Sequence, residues 1–72
     1  MRYFTFRFLH SDEHLIHDVK IAGTHEDDAR QAAWYCLAAE REGGSVTLAR
    51  AAWRVISIVI APVTDLAHAL SA

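Results

Sequence analysis

The stretch RYFTFRFL, residues 2–9, decides the fold because it predicts the strand on which the rest of the chain packs. Phe4, Phe6 and Phe8 share one face of this strand. The opposite face carries Tyr3, Thr5, Arg7 and Leu9. A period of two with aromatic residues is typical of a half-buried β-strand. We therefore expect the phenylalanine face to line the core.

A second strand follows at IHDVKIA, residues 16–22, where His17, Val19 and Ile21 lie opposite Ile16, Asp18 and Lys20. The polar residues between the two strands predict a hairpin. A four-residue loop, 11–14, pairs Phe8 with His17, whereas a six-residue loop places His10 opposite His17. Both registers bring His10 and His17 together at one end of the sheet, on the phenylalanine side.

GTHEDDARQAAWYCLAAEREGG, residues 23–44, predicts a helix with both ends marked. Thr24 is the expected N-cap, with Asp27 in the position of a capping-box carboxylate. Gly43 suits the left-handed residue that follows many helices. The stripe expected to face the sheet is apolar and mostly small: Ala29, Ala32, Ala33, Cys36, Leu37 and Ala39. Small side chains allow a helix to lie close to the phenylalanine face.

The remaining segments complete the predicted fold. SVTLARAAWR, residues 45–54, favours a short helix beginning at Ser45 or Thr47, although SVTL also fits the start of a strand. RVISIVIA, residues 54–61, is apolar on both faces, which is typical of a central strand or of one whose second face is covered. TDLAHALSA, residues 64–72, predicts a short C-terminal helix capped by Thr64.

The predicted fold is a single α+β domain over residues 1–72. Its sheet has three antiparallel strands in the order 2-1-3, and the main helix packs on one face. A short helix precedes the third strand, and another ends the chain.

Composition restricts the class of protein. With 72 residues, 53% of them apolar, the chain is long enough for one small core. A net charge of −2 argues against a general nucleic-acid binder, so we predict no direct binding to nucleic acid. The single cysteine, Cys36, excludes an internal disulfide and fits a cytoplasmic location. The longest apolar run, residues 55–63, is about half of the ~20 residues that a membrane-spanning helix needs, so no membrane is predicted.

No catalytic constellation is present in the sequence. Cys36 lies on the apolar stripe, and neither a GxSxG motif nor a glycine-rich phosphate loop occurs. We therefore predict no enzyme, no catalytic residues and no cofactor. A zinc site built from His10, His14 and His17 with a loop carboxylate is sterically conceivable, but no cysteine pair or HExxH helix accompanies it. We assign no metal ligands, and a metal-binding protein is the third functional hypothesis.

Aromatic and arginine side chains are the candidate contacts with a partner, because Trp, Tyr and Arg dominate binding hot spots. The candidates are Trp34, Tyr35, Arg50, Trp53 and Arg54, with the acids Asp12, Glu13 and Asp18 as secondary candidates. The alternative for Trp34 and Trp53 is that each extends the core. A homodimer would form through the free sheet face, which is expected to combine Tyr3, Thr5, Arg7 and Leu9 with Val55, Ser57 and Val59.

The order of these elements resembles that of compact ββαβ proteins common in bacteriophages and mobile elements, among them small anti-CRISPR proteins. The resemblance lies in RYFTFRFLHSDEHLIHDVKIAGTHEDDARQAAW closed by RVISIVIA, and it covers residues 2–61. It implies a phage-encoded, non-enzymatic inhibitor that binds a bacterial protein or ribonucleoprotein complex and blocks it by steric occlusion. It assigns no role to an individual residue.

Two further hypotheses therefore stand beside this leading one. The first is a small homodimeric, antitoxin-like regulator of transcription, in which Arg41, Arg50 and Arg54 approach DNA. The second is the metal-binding protein already described.

Overall fold

The computed structural model describes residues 1–62, and the structural statements below concern that part of the chain. Its elements are β1 (Arg2–His10), β2 (Ile16–Gly23), α1 (Glu26–Arg41), α2 (Val46–Ala52) and β3 (Trp53–Pro62). The strands form one antiparallel sheet in the order β2-β1-β3, and α1 packs against it. The predicted α+β fold, strand order and helix before the third strand are confirmed. The C-terminal helix predicted at 64–72 lies outside the described residues.

The phenylalanine face of β1 forms the centre of the core, as the alternation predicts. Phe4, Phe6 and Phe8 are each at most 1% exposed. Burying a phenylalanine side chain contributes about 1.5–3 kcal/mol, so these three supply a large part of the stabilisation of so small a core. Residues Ala29, Ala33, Leu37 and Ala38 of α1 belong to the same buried cluster.

The buried face of α1 is wider than the predicted stripe and is centred differently. Trp34 and Ala38 are buried, whereas Ala39, which the stripe included, is exposed. The reason is that α1 contacts α2 as well as the sheet. Arg50 of α2 lies over the Trp34 ring, at 5.4 Å from its centroid, which places Trp34 beside the second helix.

The predicted cap at the start of α1 is wrong. The N-cap is His25, whose side chain makes no capping hydrogen bond, so neither Thr24 nor a capping box with Asp27 closes this end. The backbone N–H of Ala29 donates to the His25 carbonyl at 3.1 Å. Three acids in the first turn still complement the positive end of the helix dipole.

The other helix ends follow their sequence signals. Gly43 has φ 61°, the left-handed conformation predicted for it. The Ala38 carbonyl accepts from the N–H groups of both Glu42 and Gly44, each at 2.8 Å. Ser45 caps α2 through its Oγ, which accepts from Leu48 N at 3.2 Å. Residues 46–52 of the ambiguous segment are therefore a helix with Ser45 as its N-cap, and Trp53 and Arg54 already belong to β3.

A β-bulge near the start of β3 changes which side chains face the core. Arg7 pairs with Ser57 and Phe8 pairs with Val55, so Ile56 is an extra residue between them. Val55 consequently packs against the core, and its predicted place on the free sheet face is wrong. Sequence parity assumes strict alternation, which an inserted residue breaks.

No helix among residues 1–62 is both long enough and apolar enough to cross a membrane.

Candidate protein-binding surface

The two rim histidines meet at Trp53. The hairpin has the four-residue loop, since Phe8 pairs with His17 and Phe6 with Val19. The Trp53 ring lies 5.0 Å from the His10 ring and 6.3 Å from the His17 ring, centroid to centroid, and both contacts are edge-to-face. The prediction that His10 and His17 lie close together at the rim of the core is confirmed.

His10 also closes the hairpin tip. Its Nδ1 accepts hydrogen bonds from the backbone N–H groups of Asp12 and Glu13, at 3.2 and 3.0 Å. Its own N–H donates to the Leu15 carbonyl at 2.9 Å, and its carbonyl accepts from His14 N at 3.2 Å. The imidazole thus takes the place that a side-chain oxygen of Asn or Asp takes in many tight turns.

Trp53 connects this tip to the end of α1. Its Nε1–H donates to Glu42 Oε1 at 3.0 Å, and the Arg41 guanidinium lies over its ring at 5.5 Å. His17 Nε2 contacts Glu40 Oε2, near the end of α1. Within residues 1–62, no group of three or more His, Cys, Asp or Glu side chains is placed to hold a metal ion.

The structure places both predicted tryptophan contacts in the core. Trp34 is 9% exposed and Trp53 is 3% exposed. Trp34 packs edge-to-face on Phe8, with 4.8 Å between ring centroids. Each tryptophan therefore extends the core, as in the alternative interpretation. Neither ring is exposed for contact with a partner.

The other predicted contacts are accessible but do not form one surface. Tyr35 of α1 is 59% exposed, and Arg50 and Arg54 are also exposed. Arg50 lies on the helix layer over Trp34. Arg54 pairs with Leu9 and so belongs to the opposite, free face of the sheet. A contact between any of these residues and a partner stays a prediction.

The acidic candidates also lie apart, and they differ in how accessible they are to a partner. Asp18 forms a two-pronged pair with Arg7, with nitrogen–oxygen distances of 2.9 and 3.0 Å. The hydrogen bonds from Arg7 hold the pKa of the Asp18 carboxyl below its usual value. Asp12 and Glu13 are exposed at the hairpin tip. Asp18 is therefore already engaged within the sheet, while the two loop acids remain accessible.

Sequence reasoning placed Val59 on the free sheet face but missed the exposure of Ile56 and Ile60 in the outer part of β3. Ile56, Val59 and Ile60 are 45%, 61% and 45% exposed. The cause is the layout: α1 packs over β2 and β1, while β3 lies at the edge of the sheet, approached by α2. Residues 55–62 contain no charged side chain. The predicted order 2-1-3 already implied an edge position, in conflict with one of the two interpretations of this run, a central strand.

The outer side of residues 55–62, which we call the β3 edge, pairs with no strand in the described part of the chain. Edge strands carry a row of backbone N–H and C=O groups that can accept another strand. Lysines, prolines and bulges usually protect such an edge. Here the bulge at Ile56 and the proline at 62 lie at the two ends, and nothing between them is charged.

Residues 1–62 enclose no cavity. No protein-family model, curated protein or solved structure matches this chain.

Proposed function

We propose that this chain is a non-enzymatic protein-binding module that adds an extended strand of its partner to the β3 edge. One observation carries the proposal: an edge strand with exposed Ile56, Val59 and Ile60 and no charged residue between 55 and 62. Addition of a strand is a recurring mode of peptide recognition, in which main-chain hydrogen bonds give affinity and side-chain contacts give specificity.

Magnitudes favour strand addition over simple apolar contact. Because each of the three side chains is already about half buried, burying the rest contributes on the order of 3–4 kcal/mol in total. Association costs at least about 4 kcal/mol in lost translational and rotational freedom. Apolar burial by itself therefore gives no net affinity. The backbone hydrogen bonds of an added strand supply the remaining free energy.

The charges along β3 indicate what kind of partner strand would fit the β3 edge. The β3 edge is neutral from residue 55 onward, and Arg54 at its start is exposed. The complementary strand is apolar and extended, with an acidic residue at the end that lies beside Arg54.

The finer identity of the partner comes from the resemblance of residues 2–61 to small ββαβ phage proteins. It supports a cytoplasmic inhibitor of the anti-CRISPR type, which occupies a surface of a bacterial protein or ribonucleoprotein complex and blocks it by steric occlusion. In this proposal the β3 edge is the contact and the rest of the domain is the obstruction.

The test compares Val59→Lys with the matched control Leu48→Lys. Both side chains are apolar and similarly exposed, at 61% and 57%, but Leu48 belongs to a helix, α2, and not to the edge strand. A lysine on an edge strand opposes strand addition. Binding to purified CRISPR effector ribonucleoprotein complexes, and target-DNA cleavage by them, are measured for each variant. We expect Val59→Lys to lose at least about tenfold in affinity (1.4 kcal/mol) and Leu48→Lys to match the parent.

Several outcomes would count against the proposal. Equal binding by the two variants would exclude the β3 edge as the contact, and absence of binding by the parent would exclude the inhibitor. Light scattering of the chain alone tests a second copy as occupant. A dimer that Val59→Lys separates, with no effect on effector binding, would replace the partner strand by another copy of this chain.

The homodimeric, antitoxin-like alternative has less support from the geometry. The free sheet face through which it would dimerise carries the Arg7–Asp18 pair at its centre. Lys20 lies on the same face, its Nζ 4.6 Å from the centroid of the Tyr3 ring. Withdrawal of Val55 by the bulge removes one of the apolar side chains expected there. Desolvating paired charges in such an interface is costly.

A further inference from the structure

The geometry points to His10 as a pH-sensitive lock on the β1–β2 hairpin tip: unprotonated Nδ1 holds the loop closed, and protonation of that nitrogen releases it. The inference rests on the tip alone and is independent of the β3 edge.

The lock follows from the hydrogen bonds that an imidazole nitrogen can accept only while it is unprotonated. A neutral histidine has one ring nitrogen that donates and one that accepts, whereas a protonated histidine donates from both. Nδ1 of His10 accepts from two backbone N–H groups, those of Asp12 and Glu13, at 3.2 and 3.0 Å. The proton of the neutral ring must therefore be on Nε2. Adding a proton to Nδ1 turns two attractive contacts into donor–donor contacts.

Release of the tip affects more than the loop. Ser11 N–H donates to the Ala52 carbonyl at 2.9 Å, which ties the loop to the last residue of α2, immediately before Trp53. His14 is held at φ 55°, a conformation that costs an L-residue free energy and that opening would relax. Opening therefore loosens the contact between the hairpin and the α2–β3 junction.

Charged and titratable groups surround His10 on several elements. In its own loop these are Asp12, Glu13 and His14. Across Trp53 they are His17 of β2 and, at the end of α1, Glu40, Arg41 and Glu42.

His17 lies at the same end of the sheet, with its Nε2 against Glu40 Oε2. A global melting curve does not isolate His10 from this contact, so the lock has to be followed at the tip itself.

The test is a titration of the full chain from pH 7.5 to 5.0, followed by NMR of the backbone amides and the histidine rings. Amide protection factors, which correct for the intrinsic pH dependence of exchange, report opening at residues 12 and 13. We expect both factors to fall as the pH falls, by up to about tenfold per pH unit, because the open tip accepts the proton that the closed tip excludes. Amides at the centre of β1 should stay protected.

Variants separate His10 from its neighbours. His10→Asn keeps an acceptor oxygen near the position of Nδ1 but does not titrate, so its tip should stay closed across the range. His14→Asn and His17→Gln remove the neighbouring titrations and should keep the parental response. Opening of His10→Asn equal to that of the parent would overturn the lock. So would constant protection at residues 12 and 13 in the parent while the His10 ring titrates, a result that requires no variant to fold.

Discussion

His14 is the only residue other than glycine in the described part of the chain with a positive φ, 55°. The left-handed conformation costs an L-amino acid roughly 1–2 kcal/mol because Cβ approaches the following carbonyl oxygen. The loop imposes it: His14 N–H reaches back to the His10 carbonyl, and the next residue, Leu15, must already accept from His10 N.

Replacing His14 by glycine is therefore expected to stabilise the protein. Removing the Cβ clash stabilises the folded state by more than the added conformational entropy of glycine stabilises the unfolded chain. We therefore expect the free energy of unfolding to rise by about 0.5–1 kcal/mol. Urea unfolding measures it. Glu13→Gly is the control, because the φ of Glu13 is not positive and glycine there should lower stability. A loss of stability in His14→Gly would mean that its side chain contributes more than its backbone conformation costs.

At the scale of the element, α1 begins without a side-chain cap. Its N-cap, His25, is extended, with φ −122° and ψ 135°, and leaves the first N–H groups of the helix without a side-chain acceptor. The sequence offered Thr24 for this role, yet the chain enters the helix one residue later. The ends of helices depend on the path of the preceding segment, here the exit from β2, as well as on local preference.

His25→Ser is expected to stabilise α1 by about 0.5–1 kcal/mol, because a serine Oγ at the N-cap accepts from the first turn. Thermal or urea unfolding checks this change. Thr24→Ala is the matched control: if Thr24 were the cap, its removal would cost about 1 kcal/mol, whereas we expect a change within about 0.5 kcal/mol. A large loss in Thr24→Ala would restore the cap that the sequence suggested.

At the scale of the whole molecule, Trp53 joins elements that are distant in sequence. It contacts the hairpin through His10 and His17, and it reaches the end of α1 through Glu42 and Arg41. It is also the first residue of β3. The hydrogen bond from Trp53 Nε1 to Glu42 joins the start of β3 to the end of α1. It therefore holds this end of the sheet against the helix layer.

A double-mutant cycle between Trp53→Phe and Glu42→Ala measures that connection. A hydrogen bond to a charged, partly accessible carboxylate contributes about 1 kcal/mol, so the two substitutions should couple by about that amount in urea unfolding. Trp34→Phe combined with Glu42→Ala is the control, since Trp34 packs on Phe8 instead, and we expect additivity within about 0.5 kcal/mol. Additive effects in the Trp53 cycle would show that the indole stabilises by packing alone.

The candidate surface was the least predictable feature of the molecule from sequence. Trp and Arg residues in a small chain fit an interface and a core equally well, and only their neighbours distinguish the two. Trp34 and Trp53 fill space beside Phe8 and the rim histidines because a helix of small residues leaves room for them. The apolar β3 residues, by contrast, remain exposed because the single long helix covers β1 and β2.

The sequence by itself determined the strands, the main helix, the strand order and the four-residue option for the hairpin loop. These depend on local patterns, since the period of two in RYFTFRFL and the small residues of α1 express backbone geometry directly. Only the tertiary structure decided the side of Val55, the burial of the two tryptophans and the exposure of Ile56 and Ile60. Each of those depends on an inserted residue or on which element covers which, and neither is encoded in the periodicity of a single segment.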